Sequence, residues 1–572
     1  MKKVLFILFL LINLFILGDS INLYELPKED KQINFEKVVF ENGTFEKSDF
    51  SIEEQVPIDE LKVILMVYLE YPNSPIDMVP GLDKNSNNPD DYLYKPENEE
   101  YYKTYHTTKN NEILKTLNVD GYERIYVSTL TPFIEYTYSQ WEFDMNKENI
   151  LGVLSKNSNV GKIYVQYYQE NKIYEEHRLG GVRMADGLED VYYRNYTGDG
   201  ITVGILELGI IDVNHINFQN TDITIHDQPT LNEVVDEHTT MVASIIGGTD
   251  GIANEVSFLS SQILGGVSEE IDWLCNNGAD VINMSFGTQT RDGIYGGTSA
   301  YVDYASRVYN QIFITSSGNT GDANVYQGNP ALAYNALTVG AVDHNQEYLN
   351  FSCYEETSNH LKPNVMMKGL SLIIPGYTSN VYNGTSFSTA IVTGLSAMIL
   401  EQIPALIDQP MKFLSLVSSG ATREVDYLYD EINNFDEKMG AGVFNYKNII
   451  ENYATAIDIT TSSTSSSTII YRQEFTLDEG ETIQAAISWM SYAYKEVASS
   501  TARSDYDIRL MYNGLLESVG CSTFNNIEMV TFTAPEDESD FTIMVIQYSS
   551  QQIENEKVSF SYNITPAPEA EE

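Results

Sequence analysis

Hydrophobic and polar positions divide the chain into stretches with different periods. Leu61–Leu69 is almost continuously apolar and predicts a strand. A loop rich in Pro, Asn and Asp runs over 72–96, and Glu99–Leu117 has roughly helical spacing. Ile125–Ser128 and Phe133–Tyr138 predict two strands joined by a turn at Pro132. Asn149–Leu154 predicts a short amphipathic helix, and Val160–Tyr168 a last strand. The order β-α-β-β-α-β is a split βαβ, ferredoxin-like unit. Residues 21–60 are polar and patternless, so a loosely ordered lead-in is expected there.

From Gly198 the pattern changes. Ile201–Leu206 is a near-continuous apolar run that leads into an acid, as in a strand of a parallel sheet covered on both faces. The polar turn Tyr382–Ala390 feeds a long apolar helix through Leu400. Beyond the Ser/Thr-rich linker 460–467, short runs at 473–477, 482–489, 507–512, 528–533, 541–547 and 558–563 alternate with turns. They predict a small antiparallel β-sandwich.

Composition narrows the classes. The 572 residues carry 33 Lys+Arg against 82 Asp+Glu, a formal charge of −49. Such a balance disfavours nucleic acid and anionic membranes as partners, since both are polyanions. Three cysteines, Cys275, Cys353 and Cys521, allow at most one bridge within the chain, so this is no disulfide scaffold. Met1-Lys2-Lys3, the apolar run Val4–Leu17 and the small residues Gly18 and Ser20 predict a cleaved signal peptide over 1–20. The expected protein is exported, with no stable membrane anchor.

The chemistry centres on Ser386. The sequence Asn383-Gly384-Thr385-Ser386 places this serine at or beside a helix N-terminus, where unpaired amides favour negative charge. A serine there can attack a carbonyl while its own N–H helps to hold the oxyanion. Taken alone, Ser386 or Thr385 could merely cap a buried helix. Three upstream elements bear on the choice. The strand Ile201–Leu206 ends in Glu207 followed by Gly209; His238 opens the apolar run 238–247; Ile312–Thr315 leads to Ser316-Ser317-Gly318-Asn319.

Asn383–Ala390, with Gly394 eight residues after the serine, resembles the nucleophile motif of the subtilisin-like serine peptidases, or subtilases. The family usually has Met and Ala where this chain has Phe387 and Ser388. Glu237–Gly247 resembles the family's histidine element, with Met241 in place of its second histidine. Val281–Gly287 and Ile312–Asn319 resemble its binding-edge strand and its oxyanion strand. Lys362–Val365 and Gly440–Val443 resemble later landmarks. The acid–histidine–serine order is the one found in subtilisin.

The resemblance implies an α/β subtilisin-like catalytic domain (mostly parallel sheet flanked by helices) over 180–455. An α+β ferredoxin-like prodomain over 61–170 would precede it, and the all-β sandwich over 468–566 would follow. It implies Glu207, His238 and Ser386 as catalytic residues and Asn319 as oxyanion donor. Ser285, Phe286, Gly287, Ser317 and Gly318 would bind substrate, a polypeptide added as a strand between 264–266 and 285–287. The chain's own prodomain would be an inhibitory partner, with maturation between Tyr168 and Val182. No cofactor is required for this chemistry, while surplus carboxylates and family habit leave room for structural calcium without a legible ligand set. Segment 504–514 resembles jelly-roll-like C-terminal domains of secreted subtilases.

One departure bears on activity. The family's acid is aspartate, and here Glu207 takes its place, with Asp212 as a second candidate beyond the strand end. The sedolisin branch uses glutamate, but it also replaces the histidine and the asparagine that His238 and Asn319 retain. Two readings follow: a working endopeptidase, or a pseudopeptidase that keeps the fold as a binding or scaffolding protein.

Overall fold

The structure, a computed structural model, describes residues 37–41, 45–47, 61–71, 99–129, 131–169, 196–226, 234–263, 266–288, 293–321, 327–354, 361–372, 374, 376–377, 382–423, 434–461, 468–492, 504–522, 524–537, 539–549 and 556–567. The expected signal peptide 1–20, positions 170–182 of the expected maturation stretch, the linker positions 462–467 and positions 264–265 of one expected binding edge lie outside these residues.

The N-terminal strands are β1 (Val38–Glu41), β2 (Phe45–Lys47), β3 (Leu61–Leu69), β4 (Arg124–Val127), β5 (Phe133–Ser139) and β6 (Val160–Gln169). Two helices join them, α1 (Glu99–Leu114) and α2 (Gln140–Lys156). The sheet order is β1-β6-β3-β5-β4, with β1 parallel to β6 at one edge. The near-continuous apolar run of β3 has a simple cause. Val63, Leu65, Val67 and Leu69 pack with Phe143, Ile150 and Leu154 of α2. Ile64, Met66 and Tyr68 face the other way, onto the central part of the chain. Both faces are covered, so both are apolar.

Two expectations need correction here. The lead-in is not patternless: it supplies β1 and β2. The helix expected at 149–154 begins at Gln140, where Ser139 caps it by accepting the Glu142 N–H at 3.2 Å. Ser139 and Glu142 have the spacing of a capping box, a signal present in the sequence.

The central sheet is parallel, with strands β7 (Thr202–Glu207), β8 (Ile223–Ile225), β9 (Ser257–Gln262), β10 (Val281–Met284), β12 (Ile312–Ser316), β13 (Leu337–Val342) and β14 (Val365–Lys368). Between β10 and β12 in the chain lies β11 (Phe286–Thr288), outside this sheet. The order is β14-β13-β12-β10-β7-β9-β8, every pair parallel. Alternate residues serve the two faces. Val203, Ile205, Val281, Ile314 and Val339 pack with helices α3 (Glu237–Ile246), α6 (Thr385–Gln402) and α7 (Pro410–Gly420). Leu206, Ile282, Met284 and Phe313 pack with α4 (Ser268–Asn276) and α5 (Gly297–Tyr309). Helix α6 is buried from Thr385 through Leu400, as expected of a helix apolar all round. The last helix, α8 (Tyr446–Asn452), packs beside α7.

The final strands are β15 (Ile457–Thr460), β16 (Thr468–Leu477), β17 (Thr482–Trp489), β18 (Asp505–Tyr512), β19 (Leu515–Gly520), β20 (Ile527–Thr533), β21 (Ser539–Ser549) and β22 (Lys557–Thr565). They form two antiparallel four-stranded sheets, β15-β22-β17-β20 and β16-β21-β18-β19. Ile487, Trp489, Val530 and Phe560 of the first meet Ile508, Leu510 and Ile543 of the second in one core. The first sheet is fastened to α7: Gln484 Nε2 donates to Ser418 O at 2.7 Å and Ser488 Oγ to Met411 O at 2.5 Å.

Candidate active site

The site forms at the carboxyl ends of the parallel strands, where open α/β sheets place their ligand-binding residues. Glu207 is the last residue of β7, and His238 is the second residue of α3. Asn319 lies three residues past β12, and Ser386 is the second residue of α6. Four segments distant in sequence thus converge at one sheet edge.

Gly209 lets the acid and the histidine approach. A Cβ there would overlap Asp236 and Val234 O, and the main chain pairs at this point through Ile210 N–H to Val234 O (2.9 Å) and Asp236 N–H to Ile210 O (3.0 Å). Asp236 then caps α3 by accepting Thr239 N–H at 3.0 Å, which sets the direction of the helix that carries His238. Glu207 is fully buried and His238 nearly so. Glu207 Oε2 lies 3.6 Å from His238 Nδ1, within ion-pair range and longer than a hydrogen bond. The other oxygen, Oε1, accepts the Ser285 N–H at 2.9 Å. Asp212 is placed differently: its Oδ1 accepts Asn214 N–H at 3.0 Å and closes a local turn.

Gly384 precedes α6 with φ 157° and ψ 151°, a region populated almost only by glycine. Ser386 Oγ donates to Ser285 O at 3.0 Å, while Ser285 Oγ donates to Ser386 O at 3.0 Å. Ser285 is held in turn by Asn283, whose Nδ2 donates to its Oγ at 3.0 Å, and Thr393 Oγ1 donates to Asn283 Oδ1 at 3.0 Å. Phe387, the departure from the family's methionine, is buried with its ring 5.8 Å from that of His238. Met241, where the family has a second histidine, is a core residue.

The Asn319 carboxamide has a defined orientation. Its Oδ1 accepts both Thr385 N–H (2.8 Å) and Thr385 Oγ1–H (2.9 Å), so its Nδ2 must point elsewhere with both protons. Thr385 Oγ1 also accepts Gly318 N–H at 3.2 Å. The expected pocket residues Ser317 and Gly318 sit beside it, with Ser317 buried and Gly318 half-buried. The landmark segments 362–365 and 440–443 pair with each other, Ala441 N–H donating to Asn364 O at 2.8 Å, and serve as framework.

Both expected binding edges carry residues of the N-terminal part. β11, which contains Phe286 and Gly287, pairs antiparallel with β2: Phe286↔Lys47, Gly287↔Glu46, Thr288↔Phe45. On the other edge, a Cβ on Gly266 would fall on the Glu135 carboxylate, and Ser268 Oγ donates to Glu135 Oε2 at 2.8 Å. Around it, Arg124 contacts Glu269 and lies 3.9 Å from Glu270, while Tyr126 and Ser128 donate to Asp272 at 2.7 and 2.5 Å. Burial pushes the carboxyls of Glu135, Glu270 and Asp272 above their ordinary range. The sequence reading missed this acidic cluster. Its one advance signal is Glu135 breaking the apolar pattern of β5, whose neighbours Phe133, Ile134 and Tyr136 are core residues.

Among the described residues, no group of three or more His, Cys, Asp or Glu side chains is placed to hold a metal ion. Among them, too, no helix is long and apolar enough to cross a membrane.

Comparison with known proteins identifies the family. Residues 198–442 match the model of the subtilase family. Subtilisin DY of Bacillus licheniformis is 30% identical over 263 residues, which cover 42% of this chain and 90% of that protein. Alkaline elastase YaB of Bacillus sp. (strain YaB) is 28% identical over 226 residues, 37% of this chain; the match spans only 57% of that relative's length. The solved structure of the prenylagaramide maturation protease PagA is 27% identical, with a TM-score of 0.37, covering 44% of this chain and 93% of that one. The chain therefore belongs to the subtilase family of serine-type peptidases.

Proposed function

We propose that this protein is a secreted serine endopeptidase, made as a zymogen, in which Ser386, His238 and Glu207 form the catalytic unit. The observation that carries the reading is the approach of Glu207 Oε2 to His238 Nδ1, 3.6 Å, beside a serine at the start of a buried helix. In this reading Ser386 Oγ leaves Ser285 O, which it meets at 3.0 Å, to pair with the imidazole. As Oγ attacks the peptide carbonyl, His238 takes its proton, and Glu207 stabilises the imidazolium. The Ser386 N–H, in the first helical turn, and Asn319 Nδ2 hold the oxyanion. The peptide C–N bond then breaks as His238 returns the proton to the leaving amine. Water, activated by the same histidine, releases the acyl group from Ser386.

The zymogen reading is supported by the N-terminal sheet, residues 61–169, lying against α4 and α5. Ile64, Met66, Tyr68, Phe133 and Tyr164 are buried in that contact. At about 1.5–3 kcal/mol for each large side chain, the contact favours strong docking. An extended substrate would pair with the edge Ser285–Gly287, and β2 pairs with part of that edge in this form. Removal of the N-terminal part would then precede activity. The strands from 468 onward would act as a stabilising or substrate-binding domain, fastened through α7.

The rival reading, a pseudopeptidase, rests on Glu207. The added methylene has a place in this fold, however: it carries Oε1 to the Ser285 amide while Oε2 stays near His238. Labelling with a fluorophosphonate tests the function. Wild type should react and Ser386→Ala should not; equal labelling of the two removes Ser386 as nucleophile.

A further inference from the structure

We infer that Cys353 is a positioning residue for the oxyanion site, through the loop that carries Asn319. The inference rests on the proposed role of Asn319. The residues on either side of Asn319 are both held by this one cysteine. Cys353 N–H donates to Gly318 O at 3.0 Å. Thr320 N–H donates to Cys353 Sγ at 3.3 Å, and Thr320 Oγ1 lies 3.4 Å from the same sulfur. Gly318 rests on the thiol: its φ is +104°, and a Cβ there would stand 3.2 Å from Sγ.

The cysteine is itself fixed. It is 2% exposed, and its carbonyl accepts Gln327 Nε2–H at 3.2 Å. The adjoining residues grip the same loop. Gly321 N–H donates to Phe351 O at 2.8 Å, and Ser352 Oγ lies 3.3 Å from Ser317 Oγ. Segment 351–353 therefore supports the loop from one side while Thr385 fixes the Asn319 carboxamide from the other.

An oxyanion donor acts only in the transition state, so misplacing it lowers kcat and leaves KM almost unchanged. A thiol is a weak acceptor, but the Thr320 N–H uses it, the Thr320 hydroxyl meets the same sulfur, and its bulk fills the space beneath Gly318. Serine can keep the acceptor; alanine loses both acceptor and bulk. Cys353 has no part in bond making, and its effect passes through Asn319.

The test is a double-mutant cycle on the activated enzyme, with amide exchange on the full chain as an independent readout. Cys353→Ala should lower kcat about 10-fold with KM within about twofold, and Cys353→Ser should recover most of the loss. In an Asn319→Ala background, Cys353→Ala should change kcat by less than about twofold. Amides of 318–321 should exchange about 10-fold faster in Cys353→Ala. An undiminished drop in the Asn319→Ala background, a loss carried by KM, or unchanged exchange overturns the inference. If wild type shows no Ser386-dependent turnover, the proposed function fails, and the exchange result alone decides whether Cys353 holds the loop.

Discussion

Ser285 N–H donates to Glu207 Oε1 at 2.9 Å. This bond anchors one oxygen of the carboxylate on the neighbouring strand and leaves Oε2 toward His238. The same residue accepts Ser386 Oγ–H on its carbonyl. The main chain of Ser285 thus touches the proposed acid, Glu207, and the proposed nucleophile, Ser386, together. A glutamate in place of aspartate is accommodated because the longer side chain has a fixed amide to reach.

The oxyanion role proposed for Asn319 gives a kinetic prediction. Asn319→Ala should lower kcat about 100- to 1000-fold with little change in KM. Steady-state kinetics on a peptide substrate measures both. A rise in KM at constant kcat would mean that Asn319 binds substrate in its ground state.

Strand β2 should restrict access to the binding edge. Replacing Phe45, Glu46 and Lys47 by proline removes the ladder donors of that strand. In the unprocessed chain this should raise the rate of reaction with a peptidyl phosphonate about 10-fold, because that probe needs the edge. A small fluorophosphonate needs only Ser386 and His238, so its rate should stay the same. Equal rates of peptidyl labelling before and after substitution would remove β2 as a barrier.

Docking of the N-terminal sheet should weaken as pH rises. Glu135, Glu270 and Asp272 are pushed up first of all by burial; Arg124 opposes this at both glutamates, and hydrogen bonds from Ser128, Tyr126, Tyr301 and Tyr309 oppose it at Asp272. The docked form thus holds protons that the separated groups release. Its advantage is full below the ordinary carboxylate range and falls as pH climbs from there through the raised values. In Ser386→Ala protein nicked after residue 169, the two parts should co-elute at pH about 5 and separate progressively toward pH about 8. Glu135→Gln should flatten that dependence. Co-elution unchanged across the range would contradict it.

What could be read in advance follows from where the information lies. Glu207, His238, Asn319 and Ser386 stand at strand ends and helix starts, and apolar runs mark such places in a sequence. The alternating two-sided burial of β3 was legible as a near-continuous apolar run. The lead-in strands β1 and β2 were not. They are only four and three residues long, and what makes them strands is pairing with β6 and β11, far away in the chain. The cluster of Arg124, Glu135, Glu270 and Asp272 is equally tertiary, since its members come from the N-terminal sheet and from α4. Cys353 carries no local signal, because the Thr320 groups that meet its sulfur lie 33 residues earlier in the chain.

The central claim is that Glu207 works as the third member of the catalytic unit. The most direct measurement is peptide turnover by activated wild type, Glu207→Gln and Glu207→Asp. Glutamine keeps an acceptor for Ser285 N–H but presents an amide to His238 and favours the wrong tautomer, so kcat should fall about 100- to 10,000-fold. Aspartate is one methylene shorter and must give up either Ser285 or His238, so it should fall below wild type, on the order of 10- to 100-fold. An inactive wild type restored by Glu207→Asp, or a Glu207→Gln variant as fast as wild type, would contradict the account.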